Sequence, residues 1–432
     1  MRRSVARLTL AAILAATVQW LPVSTTSAAE PALPSVRLIA ADDHVTAKRF
    51  GKTVWLDPGV FVAATGGAFD LRVSRPDYTS PLDLRQVDPA TGEVVRDLPE
   101  DALAGWNGLS KFFRLRVEDA SGDGVAARKV RFCPGEGSRQ RIDDSGPFDP
   151  AYPWFCGAWH PLVQGQTWGI DQGWAVHALG WDEAVAVRIP TGEYTLRFWI
   201  RDRYVNMFDV APEDASVTMG LTVKKGKKGG CCFEGRPSAP EQGQPPDDTP
   251  APAVPEITDP DPATLPNLEA LPALFFDFSR RGAREYLAFG ATEWNSGPQP
   301  LVVEGFRRPG EDVMDAYQYF YEDGEAVGRA PVGTLEYHEG GGHNHWHFEE
   351  FTEYTLLDAT GAEVVASNKQ SWCLVPTDPI DLTVPGADWN PEGLGFSACG
   401  SPSSIWVRET LQVGWGDTYF QWVAGQAFNV TG

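Results

Sequence analysis

The stretch Tyr194-Thr-Leu-Arg-Phe-Trp-Ile200 alternates in the way expected of a strand with one buried face. Similar runs are Phe69-Asp-Leu-Arg-Val73, Phe113-Arg-Leu-Arg-Val117 and Val217-Thr-Met-Gly-Leu-Thr-Val223. Turns rich in Gly, Pro and Asp separate the runs, as in Pro190-Thr-Gly-Glu193. We therefore predict a mainly β protein whose residues 35–225 form an antiparallel β-sandwich-like accessory domain.

A second β-rich region begins near Leu265. Tyr286-Leu-Ala-Phe-Gly-Ala-Thr-Glu-Trp294 alternates, and Leu301-Val-Val-Glu-Gly305 follows after a turn. Ten prolines between Pro237 and Pro266 precede this region, and such a composition prefers extended conformations and buries no core. The sequence thus predicts two antiparallel β-sandwich-like domains, residues 35–225 and 265–432, joined by a Pro-rich linker over residues 226–264.

The N-terminus has the features of an export signal. Three arginines precede a mostly apolar segment from Leu8 to Leu21, and Ser27-Ala28-Ala29 offers a small-residue cleavage site. The apolar run is shorter than the ~20 residues of a spanning helix, so we expect residues 1–29 to be a signal peptide of a secreted protein with no membrane span.

The protein is strongly acidic. Its net charge is −22, and removal of a signal with three arginines and no acid takes it to −25. Such a field repels nucleic acid and favours cationic partners, although acidity also serves solubility alone.

Six cysteines suit an oxidising compartment. Proximity in the chain suggests the pairs Cys133 with Cys156 and Cys373 with Cys399, although spacing alone does not determine connectivity. The adjacent Cys231 and Cys232 are open to a mutual bridge or to a bridge with another chain.

Four of the seven histidines lie between His338 and His347, and three of them form His343-Asn-His345-Trp-His347. In a strand, positions i, i+2 and i+4 project to one face. The three imidazoles would therefore share a face, with adjacent members roughly 6.5–7 Å apart along the strand. Imidazole-rich sites suit copper, zinc, iron or nickel, and copper(II) binds most tightly. We predict a metal site here, with His338 as a fourth ligand or a supporting group, against the alternative of a solvated strand face.

An ordered set of features in residues 265–432 resembles the lysyl oxidase family. Asn295-Ser-Gly297 follows an early strand, and the His343 to His347 run resembles the family's copper-binding histidines. Phe351-Thr-Glu-Tyr-Thr-Leu-Leu-Asp358 resembles the segment after them. Asn368-Lys-Gln-Ser-Trp-Cys373 and Asp417-Thr-Tyr419 resemble the stretches that hold the cofactor lysine and tyrosine.

The resemblance implies a secreted, copper-dependent, protein-lysine 6-oxidase-like amine oxidase. Lys369 and Tyr419 would form a lysine tyrosylquinone cofactor, and Asp417 is a candidate general base. Primary amines, including lysines of proteins, would be converted to aldehydes, O2 would be consumed, and hydrogen peroxide and ammonia would be released.

The chain also departs from the family. Gly340-Gly-Gly342 stands where animal members carry cysteine, which suggests the cysteine-poor bacterial branch. Family members continue beyond the position of Gly432, so we expect a truncated or differently closed sandwich. Two other functions stay open: a non-catalytic extracellular metal-binding or adhesion module, and a zinc hydrolase, which the lack of HExxH disfavours.

Overall fold

The computed structural model describes residues 33–180, 184–226, 253–308, 311–338, 345–366, 371–391 and 399–431. The part of the chain from Leu33 to Gly432 forms one compact unit. Strands make up 51% of the structure and helices 4%, which confirms the expected mainly β class. The predicted signal peptide, most of the predicted linker, Cys231 and Cys232 lie outside the described residues.

The N-terminal half contains fifteen described strands. They are β1 (Ser35–Ala40), β2 (His44–Phe50), β3 (Thr53–Leu56), β4 (Val60–Thr65), β5 (Phe69–Ser74), β6 (Asp83–Val87), β7 (Val94–Leu98), β8 (Leu109–Glu118), β9 (Gly124–Phe132), β10 (Arg139–Arg141), β11 (Gly165–Ile170), β12 (Trp174–His177), β13 (Val185–Val187), β14 (Gly192–Ile200) and β15 (Ser216–Lys225). One short helix, α1 (Asp202–Phe208), follows β14 and buries Tyr204 and Phe208.

These strands form three sheets of order β1-β4-β12-β10, β11-β5-β6-β7 and β13-β3-β2-β15-β14-β8-β9. Their pairs are antiparallel except for the parallel pair of β15 with β2. Each of the four alternating runs seen in the sequence lies within one strand, and Leu196, Phe198 and Ile200 of β14 are buried. This half therefore has its own core, built from the inward faces of the alternating strands.

The C-terminal half contains thirteen described strands. They are β16 (Leu268–Ala270), β17 (Leu274–Arg281), β18 (Arg284–Asn295), β19 (Leu301–Arg307), β20 (Val313–Glu322), β21 (Glu325–His338), β22 (His345–Phe348), β23 (Thr355–Leu357), β24 (Glu363–Ala366), β25 (Asp378–Pro379), β26 (Trp406–Leu411), β27 (Trp415–Tyr419) and β28 (Ala427–Asn429). A 3-10 turn at Pro262–Thr264 precedes them.

Two antiparallel sheets dominate this half. One has the order β16-β18-β27-β25, with β17 and β28 also paired to β18, and the other has the order β22-β21-β20-β19-β26. A separate hairpin pairs β23 with β24 around the turn at Asp358, where the Gly361 amide donates to the Asp358 carbonyl at 3.0 Å. A second core, which includes Trp346, Trp372 and Trp415, lies in this half.

Backbone hydrogen bonds join the two halves. The Gln164 amide donates to the Ile380 carbonyl at 2.8 Å, and the Leu382 amide donates to the Gly165 carbonyl at 3.0 Å. The Thr167 hydroxyl donates to the Leu382 carbonyl at 2.8 Å. Strand β11 and the residue before it therefore contact the segment at residues 380–382.

Aromatic residues of the N-terminal half also pack against the C-terminal half. The Tyr152 and Trp389 rings stack with centroids 5.1 Å apart. Phe155 is 4% exposed and belongs to the C-terminal core, with its centroid 6.2 Å from that of Trp415. Residues 151–170 therefore pack directly against the C-terminal half. The predicted linker stays a prediction.

Both expected disulfides, Cys133–Cys156 and Cys373–Cys399, are present. Within the described part of the chain, no helix is both long and apolar enough to cross a membrane.

Candidate metal centre and tyrosine site

The histidine face is built by the pairing of β21 with β22. His338 lies opposite His345, and Glu336 lies opposite His347. Directly opposed residues of antiparallel strands project to the same side, so these four side chains share one face. The alternate residues Leu335 and Trp346 are fully buried in the core. The apolar residues thus hold the strands on the core and present the imidazoles on the other face.

His345 and His347 are close enough to hold one ion. Their Nε2 atoms are 3.1 Å apart, His345 is half-buried, and His347 is fully buried. Two nitrogens about 2.0–2.1 Å from a metal and 3.1 Å from each other subtend an angle of about 95–102° at the ion. That angle suits tetragonal and tetrahedral coordination. His343, the third member of the predicted set, lies outside the described residues.

His338 is held by a carboxylate. Its Nε2 atom is 3.0 Å from Glu349 Oε1, and its ring centroid is 4.5 Å from that of His347. Glu336, His338 and Glu349 offer ligand atoms that all lie within 4.8 Å of one another. A carboxylate bonded to an imidazole sets its tautomer and orientation, so this arrangement fits a supporting role as well as a ligand role.

The segment that starts at Trp372 connects this strand to Tyr419. The Phe348 amide donates to the Trp372 carbonyl at 2.7 Å, and the Trp372 amide donates back to Phe348 at 3.0 Å. The Trp372 ring contacts the Tyr419 ring at a centroid distance of 4.3 Å. Phe348 directly follows His347, so one segment contacts both the histidine strand and the candidate cofactor tyrosine.

Three consecutive amides of this segment donate hydrogen bonds to one tyrosine hydroxyl and two carboxyl groups. The Cys373 amide donates to Tyr419 Oη at 2.8 Å, and the Leu374 amide donates to Glu409 Oε2 at 3.0 Å. The Val375 amide donates to Asp417 Oδ2 at 3.3 Å. These bonds satisfy buried acceptors and position the phenol beside two carboxyl groups.

Burial raises the pKa of the Tyr419 phenol, and the Asp417 carboxylate raises it further. The hydrogen bond from the Cys373 amide opposes this shift. Tyr419 is 8% exposed. The phenol is therefore protonated at neutral pH.

Glu409 is a buried acid that sequence analysis did not select. It is fully buried, and its Oε1 atom has no hydrogen-bond partner among the residues that the structure describes. Burial raises the pKa of its carboxyl well above the usual range, and the Leu374 amide opposes the shift. In Val407-Arg-Glu-Thr-Leu411 the glutamate lies on the same strand face as the apolar residues Val407 and Leu411. An acid at such a position is the sequence feature that could have identified it.

Glu293 is a second acid that sequence analysis missed. It lies directly opposite Asp417 in the pairing of β18 with β27. Burial raises the pKa of its carboxyl to about 7. It follows Leu287, Phe289 and Ala291 on one strand face, so an acid in an apolar row was the available signal.

The reverse face of the β18–β27 pair contacts the N-terminal half. Thr292 Oγ1 and Thr418 Oγ1 are 2.9 Å apart, and His160 Nε2 is 3.1 Å from Thr292 Oγ1. Thr418 lies between Asp417 and Tyr419. A residue of the N-terminal half, His160, thus contacts the face of the β18–β27 pair opposite to the one that carries Tyr419.

The structure therefore places His338, His345 and His347 together, and it places Asp417 and Tyr419 on one face of β27. Lys369 lies outside the described residues. Comparison with known protein families and with curated proteins gives no match for this chain.

Removal of the Cys373–Cys399 disulfide is expected to lower the free energy of unfolding by about 3.5 kcal/mol, because the bridge spans a sequence separation of 26. The double variant Cys373→Ala/Cys399→Ala would be compared with wild type by denaturant unfolding without reductant. It should also weaken the binding of added copper(II) at the candidate His345–His347 site, since Cys373 follows Trp372, which pairs with Phe348.

The matched control is Cys133→Ala/Cys156→Ala, whose bridge spans 23 residues and predicts a similar loss of stability. Copper binding should persist in that control. Equal copper loss in both variants would contradict a local role for Cys373–Cys399.

Proposed function

We propose that residues 265–432 form a copper-dependent amine oxidase domain that resembles lysyl oxidase and acts on primary amines outside the cell. Peptidyl lysine is included in this substrate class. The observation that carries the proposal is the 3.1 Å distance between His345 Nε2 and His347 Nε2 on β22. The residue after His347, Phe348, pairs with Trp372.

The donor set fits copper. His345 and His347 would hold the ion, and the sequence offers His343 as a third imidazole. Three nitrogen ligands match copper(II) better than they match calcium or magnesium, which prefer oxygen. The fully buried His347 also provides a dry side to the site, which strengthens ligand bonds.

Tyr419 is held in a fixed position by its neighbours. Its ring packs on Trp372, and its phenol is held at one atom by the Cys373 amide. Lys369 is three residues before Trp372 in the chain, so connectivity alone keeps their Cα atoms within about 11 Å. A lysine tyrosylquinone, when formed from Lys369 and Tyr419, supplies the oxidising power toward the amine, and O2 restores it.

Three acidic side chains lie on the strands around Tyr419, and the net charge of the chain favours a cationic amine. Glu293, Asp417 and Glu409 come from three strands, β18, β27 and β26. The whole chain carries a net charge of −22, which draws cations toward it. Two disulfides agree with a secreted location.

The direct test is the mass of the peptides that contain Lys369 and Tyr419 after expression with copper and proteolysis. We expect one cross-linked species with the mass shift of tyrosine oxidation. Two unmodified peptides from fully copper-loaded protein would contradict the proposal and favour a non-catalytic binding module.

The variant His345→Ala is expected to lose both copper and amine oxidation. It removes one of two nitrogens that lie 3.1 Å apart, and without copper the cofactor does not form. Metal analysis and peroxide release with a primary amine would measure the two losses. The matched control is His44→Ala, since His44 is exposed and lies on β2 of the N-terminal half. Full copper content in His345→Ala would exclude this residue as a ligand.

A further inference from the structure

We propose that Glu293 is the carboxylate that accepts the proton from the α-carbon of the amine at the Tyr419 site. This inference rests on the proposed amine oxidase function. It assigns the general base to a residue of β18 in place of Asp417, the residue that the sequence suggested.

Strand register places Glu293 on the side of the sheet that carries Tyr419. Glu293 lies opposite Asp417, and Ala291 lies opposite Tyr419, in the same antiparallel pair. Opposed residues share a face, as do residues two apart on one strand. Glu293 and Tyr419 are thus diagonal neighbours on one face, at roughly 7–8 Å between their backbones, which a glutamate side chain spans.

Two of the residues beside Glu293 are alanines. On β16 its opposite residue is Ala270, and on its own strand the next residue toward Tyr419 on this face is Ala291. Methyl groups do not hydrogen-bond a carboxylate. These two neighbours therefore do not compete for the Glu293 carboxylate.

Glu293 is poised to take up and release protons. Within the described ranges its carboxylate makes no hydrogen bond and no ion pair, and it is half-buried. Burial alone raises the pKa of Glu293 to about 7, so both protonation states occur near neutral pH. A general base is most effective when its pKa lies near the working pH.

The other acids at this site are poorer candidates. Asp417 is 2% exposed and accepts the Val375 amide, while Glu409 is 0% exposed and accepts the Leu374 amide. Those amide bonds position carboxylates and limit their access to water. Glu293 is the acid here that combines partial exposure with closeness to the Tyr419 face.

In the proposed step the C–H bond of the amine carbon would break and its proton would move to an Oε atom of Glu293. A quinone formed from Tyr419 would supply the oxidant that takes the electron pair. O2 is the final oxidant, and Glu293 returns the proton to solvent through its exposed side. The titratable groups that face Glu293 are Asp417 and Tyr419 from β27 and Tyr354, whose pKa burial raises to about 12.

The experiment compares wild type, Glu293→Gln, Glu293→Asp and Glu285→Gln in the copper-loaded full chain, with benzylamine and its α-deuterated form. Glu285 is the matched control, because it lies on the same strand at the exposed end and pairs with Arg280. We expect wild-type kcat/KM to rise with pH through about 7, because the acceptor must be ionised. Glu293→Gln should lose roughly 10²–10⁴-fold in kcat and the rise with pH.

Two further readouts separate a base from a structural residue. Quinone content, titrated with phenylhydrazine, should be equal in wild type and Glu293→Gln, and the deuterium isotope effect on kcat should grow in the variant. Infrared difference spectra of copper-free protein should show a carboxyl group that titrates near pH 7 in wild type and is absent from Glu293→Gln. Glu293→Asp should restore part of the rate and the pH dependence.

Amine oxidation at wild-type rate and pH profile in Glu293→Gln would overturn this inference and leave the proposed function intact. Loss of quinone in Glu293→Gln would also overturn it, since the residue would then act in assembly of the site. Wild-type protein with copper but neither quinone nor amine oxidation would overturn both the function and the inference.

Discussion

Substitution of Tyr419 by Phe is expected to leave copper bound and to abolish amine oxidation. The phenol oxygen is the atom that a tyrosine-derived quinone requires, and phenylalanine lacks it. Under the proposed function the quinone would carry the oxidative chemistry, so the loss should be on the order of 10⁶-fold or more, the lower range of enzymatic rate accelerations. Copper content and peroxide release would be measured on the same preparation.

The fold should survive this change. The Tyr419 hydroxyl accepts a hydrogen bond from the Cys373 amide at 2.8 Å and donates a longer one to the Cys373 carbonyl at 3.4 Å. Loss of each such bond costs about 1 kcal/mol. The ring remains to pack on Trp372 at a centroid distance of 4.3 Å. Copper stays because His345 and His347 are unchanged.

Tyr319→Phe is the matched control. Tyr319 is 2% exposed in the same half of the protein, and its hydroxyl accepts a hydrogen bond from Arg329. This variant should retain quinone and turnover. Full amine oxidation by Tyr419→Phe would rule out a quinone made from Tyr419.

The second large effect is on stability. Phe155→Ala is expected to lower the free energy of unfolding by about 3–5 kcal/mol, the usual cost of removing a buried phenylalanine ring. Phe155 comes from the N-terminal half but belongs to the C-terminal core, where it is 4% exposed. Its ring contacts Trp159 at a centroid distance of 5.1 Å as well as Trp415. The loss should therefore destabilise the C-terminal half itself.

Denaturant unfolding of the full chain would measure this effect. Phe148→Ala is the control, since Phe148 is 77% exposed and its removal should change stability by no more than about 0.5 kcal/mol. By the same reasoning, residues 253–432 expressed alone should aggregate, because they expose the core surface that Phe155 covers. Cooperative unfolding of that fragment at wild-type stability would contradict an obligatory role for the N-terminal half.

Features that depend on residues close in the chain were predictable from the sequence. Alternation in Tyr194–Ile200 and in Tyr286–Trp294 correctly located strands, because side-chain direction in a strand has a period of two. Alternation also revealed the shared face of His345 and His347. Glu293 interrupts the apolar row of the predicted strand Tyr286–Trp294, and Glu409 interrupts that of β26. The importance of both acids depends on which strands lie beside them.

By itself, the sequence determined the mainly β class and the histidine strand and suggested the two cysteine pairs, since each depends on residues close in the chain. Only the tertiary structure decided that His338 faces Glu349, that Glu293 stands beside Asp417, and that Phe155 enters the C-terminal core. Those contacts depend on strand order and register, which join residues far apart in the chain. The hydrophobic pattern of a single strand does not specify which strands it pairs with, because strand order and register arise from the packing of the whole unit.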